Sequence, residues 1–177
     1  MIKADQHTHC NFSTDSDAAP ETMIAGAIQK GLSHLCLTDH MDLEYPGTTQ
    51  EEPLFEFSVA DYFAALTPLK EACQKQLYLG IGIELGLRPD RTDLNMRMHS
   101  LLEHHPFDFV LGSVHLLDNE DPYYESYWTS RNAKAVLSKY FNDMLTSLKE
   151  YKNFDSLGHL DYLIRYNYNF GFQTRVI

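Results

Sequence analysis

The sequence predicts an α/β fold in which parallel strands alternate with covering helices. Three observations lead to it: short apolar runs recur along the 177 residues, helix-like segments separate these runs, and ionisable residues collect where the runs end. Short apolar strands are typical of parallel sheets, which helices cover. Five such strand–helix units make up most of a barrel or a complete open sheet.

The first elements have clear local signals. Residues 2–9 (IKADQHTH) form the first predicted strand, and residues 20–30 a helix with Pro20 near its start and a glycine just past its end. Residues 34–39 (HLCLTD) are a short apolar run typical of a buried strand. The polar stretch 41–57 predicts a long loop, and long loops in compact domains are usually functional or disordered.

The alternation continues to the end of the assigned region. Ser58 is expected to cap a second helix that runs to about residue 76. The later elements are a strand over 77–85 (LYLGIGIEL), a helix over 93–104, a strand over 107–116 (FDFVLGSVHL), a Tyr- and acid-rich loop over 117–128, a helix around 130–152 and a strand over 154–163 (FDSLGHLDYL). Residues 164–177 receive no assignment.

Composition excludes several classes of protein. Lys+Arg 14 against Asp+Glu 25 leave a formal charge of −11, which argues against general affinity for nucleic acid or anionic lipid. No run approaches the roughly 18 apolar residues of a membrane span, and no secretory signal is visible. Cys10, Cys36 and Cys73 are too few and too widely spaced for a disulfide framework. We therefore expect a single cytoplasmic domain over residues 1–177.

Ionisable side chains lie at or near the carboxyl end of every predicted strand. They are His7 and His9, Asp39 and His40, Glu84, His115, and His159 and Asp161. In parallel α/β folds this edge of the sheet is where sites are built. We therefore expect these side chains to converge, and the loops 41–57 and 117–128 to shape a pocket above them.

Single residues in this set have both functional and structural explanations. His7 and His9 lie two apart on a strand, about 6.6–6.8 Å, so that both imidazoles can reach one metal ion. Glu84 lies in an otherwise apolar strand, where a carboxylate must be paired, protonated or bound to a cation. His115 and His159, taken singly, are equally well explained as hydrogen-bonded core histidines. Together, the set favours a shared site.

The residue types indicate the metal and the reaction. Imidazole mixed with carboxylate suits zinc, iron or manganese better than magnesium or calcium. More than four such ligands exceed one tetrahedral site, which predicts two or three divalent ions bridged by a carboxylate such as Glu84. Such clusters acidify a bridging water and clamp phosphoryl oxygens, so hydrolysis of a phosphate ester is the leading reaction class.

Other polar residues have ordinary structural explanations. They are helix capping for Asp15 and Asp17, a strand start at the opposite edge for His34, a solvated helix face for His99, His104 and His105, and a small core position for Cys10.

Five motifs then carry a family resemblance. HTH at 7–9, TDH at 38–40, IELG at 83–86, GSVH at 112–115 and GHLDYLIRY at 158–166 resemble the PHP (polymerase and histidinol phosphatase) family. The last two motifs together are most similar to its histidinol-phosphatase branch. The resemblance implies a distorted (βα)7 barrel that holds three metal ions.

The resemblance also implies a role for each matching residue. The implied ligands are His7, His9 and Glu84 for the first metal, Glu84, His115 and His159 for the second, and Asp15 and His40 for the third. Glu84, His7 and His9 are catalytic through the water that these metals activate. Asp15 stands where relatives often have a histidine, which weakens or retunes the third metal. Arg165 is either a phosphate contact or part of a surface ion pair.

Family members generally continue beyond this length, with an Asp-x-His pair at a late strand end. Nothing after His159 matches that pair. The resemblance therefore implies a barrel truncated after about five strands, because the chain is a fragment, the gene is interrupted, or another chain supplies the rest. Exposed barrel edges would favour self-association.

The implied activity is metal-dependent phosphomonoester hydrolysis. A histidinol-phosphatase-like enzyme of histidine biosynthesis would convert L-histidinol phosphate and water to L-histidinol and phosphate. Two alternatives stay open: another phosphoesterase of the same family, acting on phosphotyrosine or nucleotide ends, and a non-catalytic metal-binding remnant. The expected partner is a small phosphorylated substrate, rather than a nucleic acid or a membrane.

Overall fold

The computed structural model describes residues 2–49 and 54–163. Within these ranges, parallel strands alternate with helices. The strands are β1 (Ala4–Thr8), β2 (His34–Leu37), β3 (His40–Met41), β4 (Tyr78–Gly86), β5 (Phe109–Ser113) and β6 (Ser156–Leu157), and the helices are α1 (Pro20–Gln29), α2 (Val59–Cys73), α3 (Thr92–His104), α4 (Glu125–Trp128) and α5 (Ala133–Glu150). The predicted α/β class is confirmed.

The strands follow chain order across the sheet. β1, β2, β4, β5 and β6 are neighbours in that order, and β3 also pairs with β4. Sequential parallel strands with intervening helices are the arrangement of a (βα) barrel, and this sheet is part of such a barrel. In the described ranges β1 and β6 are the two edge strands, which is where the expected self-association would occur; that association stays a prediction.

β4 is the central strand and sets the position of the site. Its first half pairs with β2 and its second half with β3, while β5 runs along its other side. His40 pairs with Glu84, and Gly86 with Ser113. This register brings the carboxyl ends of the strands to one edge of the sheet.

Three of the described helices, α1, α2 and α5, have a local signal at their start. α1 starts at Pro20, whose fixed φ suits a first helical position. Ser58 accepts a hydrogen bond from the backbone N–H of Asp61 at 3.3 Å, and Asn132 accepts one from Ala135 at 3.1 Å. These side chains satisfy N–H groups that the first helical turn leaves without a partner.

The predicted strand 34–39 is shorter in the structure, because β2 ends at Leu37, and a separate two-residue strand, β3, follows at His40–Met41, so the described sheet has six strands rather than five. The carboxylate of Asp39 explains why β2 ends before the predicted run does. Its Oδ1 accepts hydrogen bonds from the backbone N–H groups of Cys10 and Ser13 at 2.8 and 3.1 Å. The chain therefore leaves the β2 ladder at this point and rejoins the sheet against the second half of β4.

The prediction for the last strand was wrong in length. β6 has two residues instead of the ten predicted over 154–163, because Gly158 and His159 end it, the latter at a φ of +53°. A residue with a Cβ cannot continue a strand in that left-handed conformation. β5 is also shorter than its predicted range 107–116, and α4 is a short helix inside the predicted loop 117–128.

Two apolar clusters support the sheet. One packs α1 and α2 against β2 and the first half of β4, and the other packs α3 and α5 against the second half of β4. β4 is consequently buried from Leu79 to Gly86. Within the described ranges, no helix has the length and apolar character needed to cross a membrane.

Candidate metal centre

Glu84 is the centre of the site, and its side chain has no solvent exposure. Five histidine nitrogens lie close to its carboxylate: Nε2 of His7 (3.2 Å), Nε2 of His9 (3.1 Å) and Nδ1 of His40 (3.4 Å) near Oε2, and Nε2 of His115 (3.3 Å) and His159 (3.0 Å) near Oε1. The histidines that the sequence places at strand ends thus meet at one carboxylate.

The parallel register explains why residues distant in sequence meet here. His7 lies on β1, His40 on β3 and Glu84 on β4, and His115 and His159 closely follow β5 and β6. All are therefore at the carboxyl edge of the sheet. The left-handed backbone of His159 is uncommon for a residue with a side chain, and such strain is typically retained at functional sites.

The grouping of the donor atoms differs in part from the one the resemblance implies. Three sets of possible ligand atoms lie within 4.8 Å of one another: His7, Glu84 and His159; His9, His40 and Glu84; and His40, Asp42 and His115. The resemblance instead joins His7 with His9, and His115 with His159. Glu84 belongs to two of the observed sets, which is the position that a bridging carboxylate requires.

Two buried ring nitrogens without hydrogen-bond partners in the described part of the chain show whether the site fits a cation. Nε2 of His9 and Nε2 of His115 are buried and have no hydrogen-bond partner among the described residues, although oxygens of Glu84 lie 3.1 and 3.3 Å away. Leaving a buried polar atom without a partner costs about 1–3 kcal/mol. A divalent ion between these nitrogens and the carboxylate would satisfy both, so the residues fit a metal.

The pKa values of His9 and Glu84 also show that the carboxylates of the site attract positive charge. Burial lowers the pKa of His9, but the neighbouring carboxylates of Asp15 and Glu84 outweigh burial and raise it to about 9. Burial raises the pKa of Glu84, but the charge of His115 and the contacts with His159 and His7 hold it well below its ordinary value. Zn²⁺ competes with protons for such imidazoles.

Asp42 is a site residue that the sequence analysis missed. The residue is buried, and its Oδ1 accepts a hydrogen bond from Nδ1 of His115 at 2.7 Å, while Oδ2 accepts one from Nδ1 of His40 at 3.1 Å. Burial raises the pKa of Asp42, but His115 and His40 lower it to about 2. The proton is thereby held on Nδ1 of each ring, and Nε2 is left for a metal.

A signal for Asp42 was present in the sequence. It follows His40 by two residues, the same spacing that places His7 and His9 on one face of a strand. Gly86 of the IELG motif lies beside this carboxylate, since a Cβ at this position would lie 2.0 Å from Oδ1 of Asp42. The glycine makes room for the carboxylate.

Ser113 orients Glu84 and was also missed. Its Oγ donates a hydrogen bond to Oε1 of Glu84 at 2.6 Å, and the residue is fully buried. A Cβ at Gly158 would lie 2.4 Å from this Oγ. The glycine that precedes His159 therefore makes space for the hydroxyl that holds the central carboxylate.

Asp15 reaches the site from the loop after β1. Its carboxylate lies 3.3 Å from Nδ1 of His9 and 3.6 Å from Nε2 of His40. The capping explanation for Asp15 was wrong, because α1 is preceded by Ala19 at its N-cap. Asp15 and His40 thus lie next to each other, as the implied third metal requires.

Other candidates lie elsewhere. Asp39 turns away from the cluster, where its Oδ2 accepts a hydrogen bond from the hydroxyl of Tyr62 at 2.9 Å. Asp161 is exposed. The remaining histidines lie away from the cluster: His34, His99 and His104 are exposed, and the half-buried His105 stacks on Phe63. Arg165 lies outside the described residues.

A cavity of about 550 Å³ opens above the cluster. The histidines and Asp15 form one side of it. The rest of the lining is mainly aromatic and acidic, and includes Tyr45, Phe55, Asp121, Tyr123, Tyr124 and Tyr162. Most of these residues come from the two loops that the sequence analysis expected to shape a pocket, 41–57 and 117–128.

Comparisons with known proteins agree with this geometry. A family model described as PHP domain matches residues 5–175. The histidinol-phosphatase of Lactococcus lactis subsp. lactis is 30% identical over 169 residues, 94% of this chain and 59% of the relative. A probable histidinol-phosphatase of Clostridium acetobutylicum is 35% identical over 162 residues, 92% of this chain and 58% of the relative. The chain thus spans less than two thirds of the length of these curated relatives.

A solved structure shows the same fold. It is the crystal structure of a histidinol phosphate phosphatase from Lactococcus lactis subsp. lactis, complexed with Zn, L-histidinol and phosphate. The TM-score is 0.83 at 28% identity, over 92% of this chain and 59% of that chain.

Proposed function

The chain belongs to the PHP domain family, on its histidinol-phosphatase branch, and from this premise we propose that it hydrolyses histidinol phosphate to histidinol and phosphate in histidine biosynthesis. The observation that carries the proposal is the convergence of five imidazoles on the buried carboxylate of Glu84. The relative solved with Zn, L-histidinol and phosphate supports the choice of substrate.

Two to three divalent ions are proposed to bind at this site, with zinc as the first choice and manganese or iron as alternatives. Glu84 would bridge two of them. The proposed ligands are His7 and His9 on one side, His115 and His159 on the other, and Asp15 and His40 for a third ion. When bound, such ions stabilise charge on phosphoryl oxygens and lower the pKa of water.

The chain's own residues prepare the site for this chemistry. Asp42 holds the proton on Nδ1 of His40 and His115, and Ser113 fixes one oxygen of Glu84. The rings are therefore oriented before a metal or substrate arrives, which reduces the reorganisation needed during the reaction. Arg165 remains a proposed phosphate contact.

A substrate panel tests the proposal. The full chain, loaded with Zn²⁺, is assayed for phosphate release from L-histidinol phosphate, phosphotyrosine and 5′-nucleotides. We expect the highest kcat/KM with histidinol phosphate. Equal or better hydrolysis of phosphotyrosine or nucleotides would indicate a different phosphoesterase, and stoichiometric zinc without hydrolysis of any substrate would indicate a non-catalytic protein.

A matched pair of variants separates the site from the rest of the chain. His115→Asn removes a ring that contacts Glu84, whereas His34→Asn changes an exposed histidine at the other edge of the sheet. We expect only His115→Asn to lose zinc and activity. Equal effects of the two substitutions would contradict the assignment.

A further inference from the structure

Asp121 is a carboxylate held in the cavity wall by neutral groups. Its Oδ2 accepts a hydrogen bond from the hydroxyl of Tyr45 at 2.6 Å. Its Oδ1 accepts one from the hydroxyl of Tyr162 at 2.9 Å and one from the backbone N–H of Tyr123 at 2.7 Å. The Tyr45 contact joins the two loops that border the cavity, so the carboxylate has a defined position.

The aromatic wall connects Asp121 to both sides of the histidine cluster. The ring of Tyr162 packs against those of His115 and His159, with centroids 5.8 and 5.6 Å apart. On the other side, the ring of Tyr45 packs against Phe55 at 4.7 Å. Phe55 in turn packs against His40 at 5.2 Å. A phosphoester whose phosphate lies at the cluster can place its organic part against this wall.

Within residues 2–49 and 54–163, the hydrogen-bond partners of the Asp121 carboxylate are neutral groups rather than basic side chains. Of the described residues that line the cavity, none is a lysine or arginine, and the three groups that donate to Asp121 are neutral. An ionised carboxylate has about four acceptor positions, of which these donors occupy three. Tyr123 and Tyr124, which are 63% and 54% exposed, add aromatic faces that attract cations.

We propose that Asp121, positioned by Tyr45 and Tyr162, determines substrate specificity by binding a cationic nitrogen on the organic part of the phosphoester. The inference rests on the proposed function, since histidinol carries an amine and an imidazole that can supply this charge. It predicts that the pocket prefers esters of cationic amino alcohols to esters of neutral alcohols. The metal cluster would bind the phosphate of either kind.

Asp121→Asn is the variant that isolates the charge. An amide has nearly the same shape, its oxygen can still accept from Tyr162 and the backbone, and the hydroxyl of Tyr45 can turn to accept from the amide nitrogen. The loops therefore stay joined while the charge is lost. Asp118→Asn is the matched control, because Asp118 is on the same segment but pairs with Lys139 outside the cavity.

Binding of L-histidinol to the zinc-loaded full chain is measured by calorimetry, with inorganic phosphate as a second ligand. We expect Asp121→Asn to weaken histidinol binding by about 10- to 100-fold, as for a lost hydrogen bond to a charged group. Phosphate binding should change less than twofold, and Asp118→Asn should change neither. The ratio of kcat/KM for histidinol phosphate to that for p-nitrophenyl phosphate should fall by a similar factor.

Three outcomes would overturn the inference: no histidinol binding by the unaltered protein, equal histidinol binding by Asp121→Asn, or an equal loss of phosphate binding, which would mark Asp121 as purely structural. Failure of the proposed function looks different. A protein that binds histidinol through Asp121 yet hydrolyses no phosphoester would refute the function and leave this inference standing. Hydrolysis of histidinol phosphate with an unaffected Asp121→Asn would do the reverse.

Discussion

Asp42→Asn removes the charge of the carboxylate that orients the proposed metal ligands His40 and His115, while the volume of the side chain stays nearly the same. The volume matters because the carboxylate packs closely against the backbone of Gly86, where even a Cβ would lie 2.0 Å from its Oδ1. Asp42 now accepts hydrogen bonds from Nδ1 of both His115 and His40, at 2.7 and 3.1 Å. An amide can accept from only one of them with its oxygen, and its nitrogen would meet the N–H of the other ring.

The expected magnitude follows from these two contacts. Loss of a hydrogen bond that orients a metal-binding histidine lowers metal affinity by about 10- to 100-fold. At each affected ion this corresponds to about 1.4–2.7 kcal/mol, which agrees with the 1.5–3 kcal/mol typical of a hydrogen bond to a charged group. Because His115 and His40 are proposed ligands of different ions, weakened binding is expected at one site or both, and not at the pair His7 and His9.

Zinc titrations of the metal-free full chain, followed by calorimetry or by competition with a chromophoric chelator, measure these affinities. Asp17→Asn is the control, since Asp17 is exposed and does not line the cavity. Metal-free stability by thermal melting shows whether the variant still folds. Zinc affinities within twofold of the unaltered protein at every site, in a folded variant, would refute the positioning role of Asp42.

Four further predictions concern the same edge of the sheet. Glu84→Gln should lose at least one metal ion and most phosphomonoester hydrolysis, because the charge that the imidazoles face is removed; unchanged metal content by elemental analysis and an unchanged rate would contradict the bridging role. Gly158→Ala would place a methyl group 2.4 Å from Oγ of Ser113, so we expect a loss of about 1–3 kcal/mol in urea unfolding together with weaker zinc binding, and neither should occur if that space can adapt freely. Tyr62→Phe removes a buried donor to Asp39 and should cost about 1–3 kcal/mol of stability with zinc affinity unchanged; a loss of zinc affinity would show that Asp39 also supports the metal site. Removal of metal by a chelator should lower the melting temperature, since an ion at 100 times its Kd stabilises the folded state by about 2.7 kcal/mol, and an identical melting temperature with and without zinc would mean that no ion is bound.

Local patterns predicted most of the fold. Pro20, Ser58 and the apolar runs mark helix starts and strands because capping and periodicity depend on residues only a few positions apart. The errors arose where a distant contact ended an element. Strand β2 ends at Leu37, before the end of the predicted run 34–39, because Asp39 accepts hydrogen bonds from backbone N–H groups of the loop after β1, and no signal within the run itself indicates this contact.

At the site, too, local patterns predicted the residue types, and distant contacts decided which residues take part. TDHMD contains two acidic residues near His40, of which only Asp39 was expected at the site. In the structure Asp39 supports the backbone, and Asp42 faces the cluster. The structure explains the glycines of the motifs IELG and GHL, because a side chain at either position would collide with Asp42 or Ser113.

The sequence by itself determined which chemistry meets at the site. It places histidine and carboxylate side chains at strand ends, and parallel strands bring those ends to one edge whatever the details of packing. Only the tertiary structure decided which atoms face each other. Asp42 contacts His115 across 73 residues, and Tyr45 contacts Asp121 across 76. Such contacts depend on the curvature of the sheet and the path of two loops, and these are set by packing over the whole domain rather than by neighbouring residues.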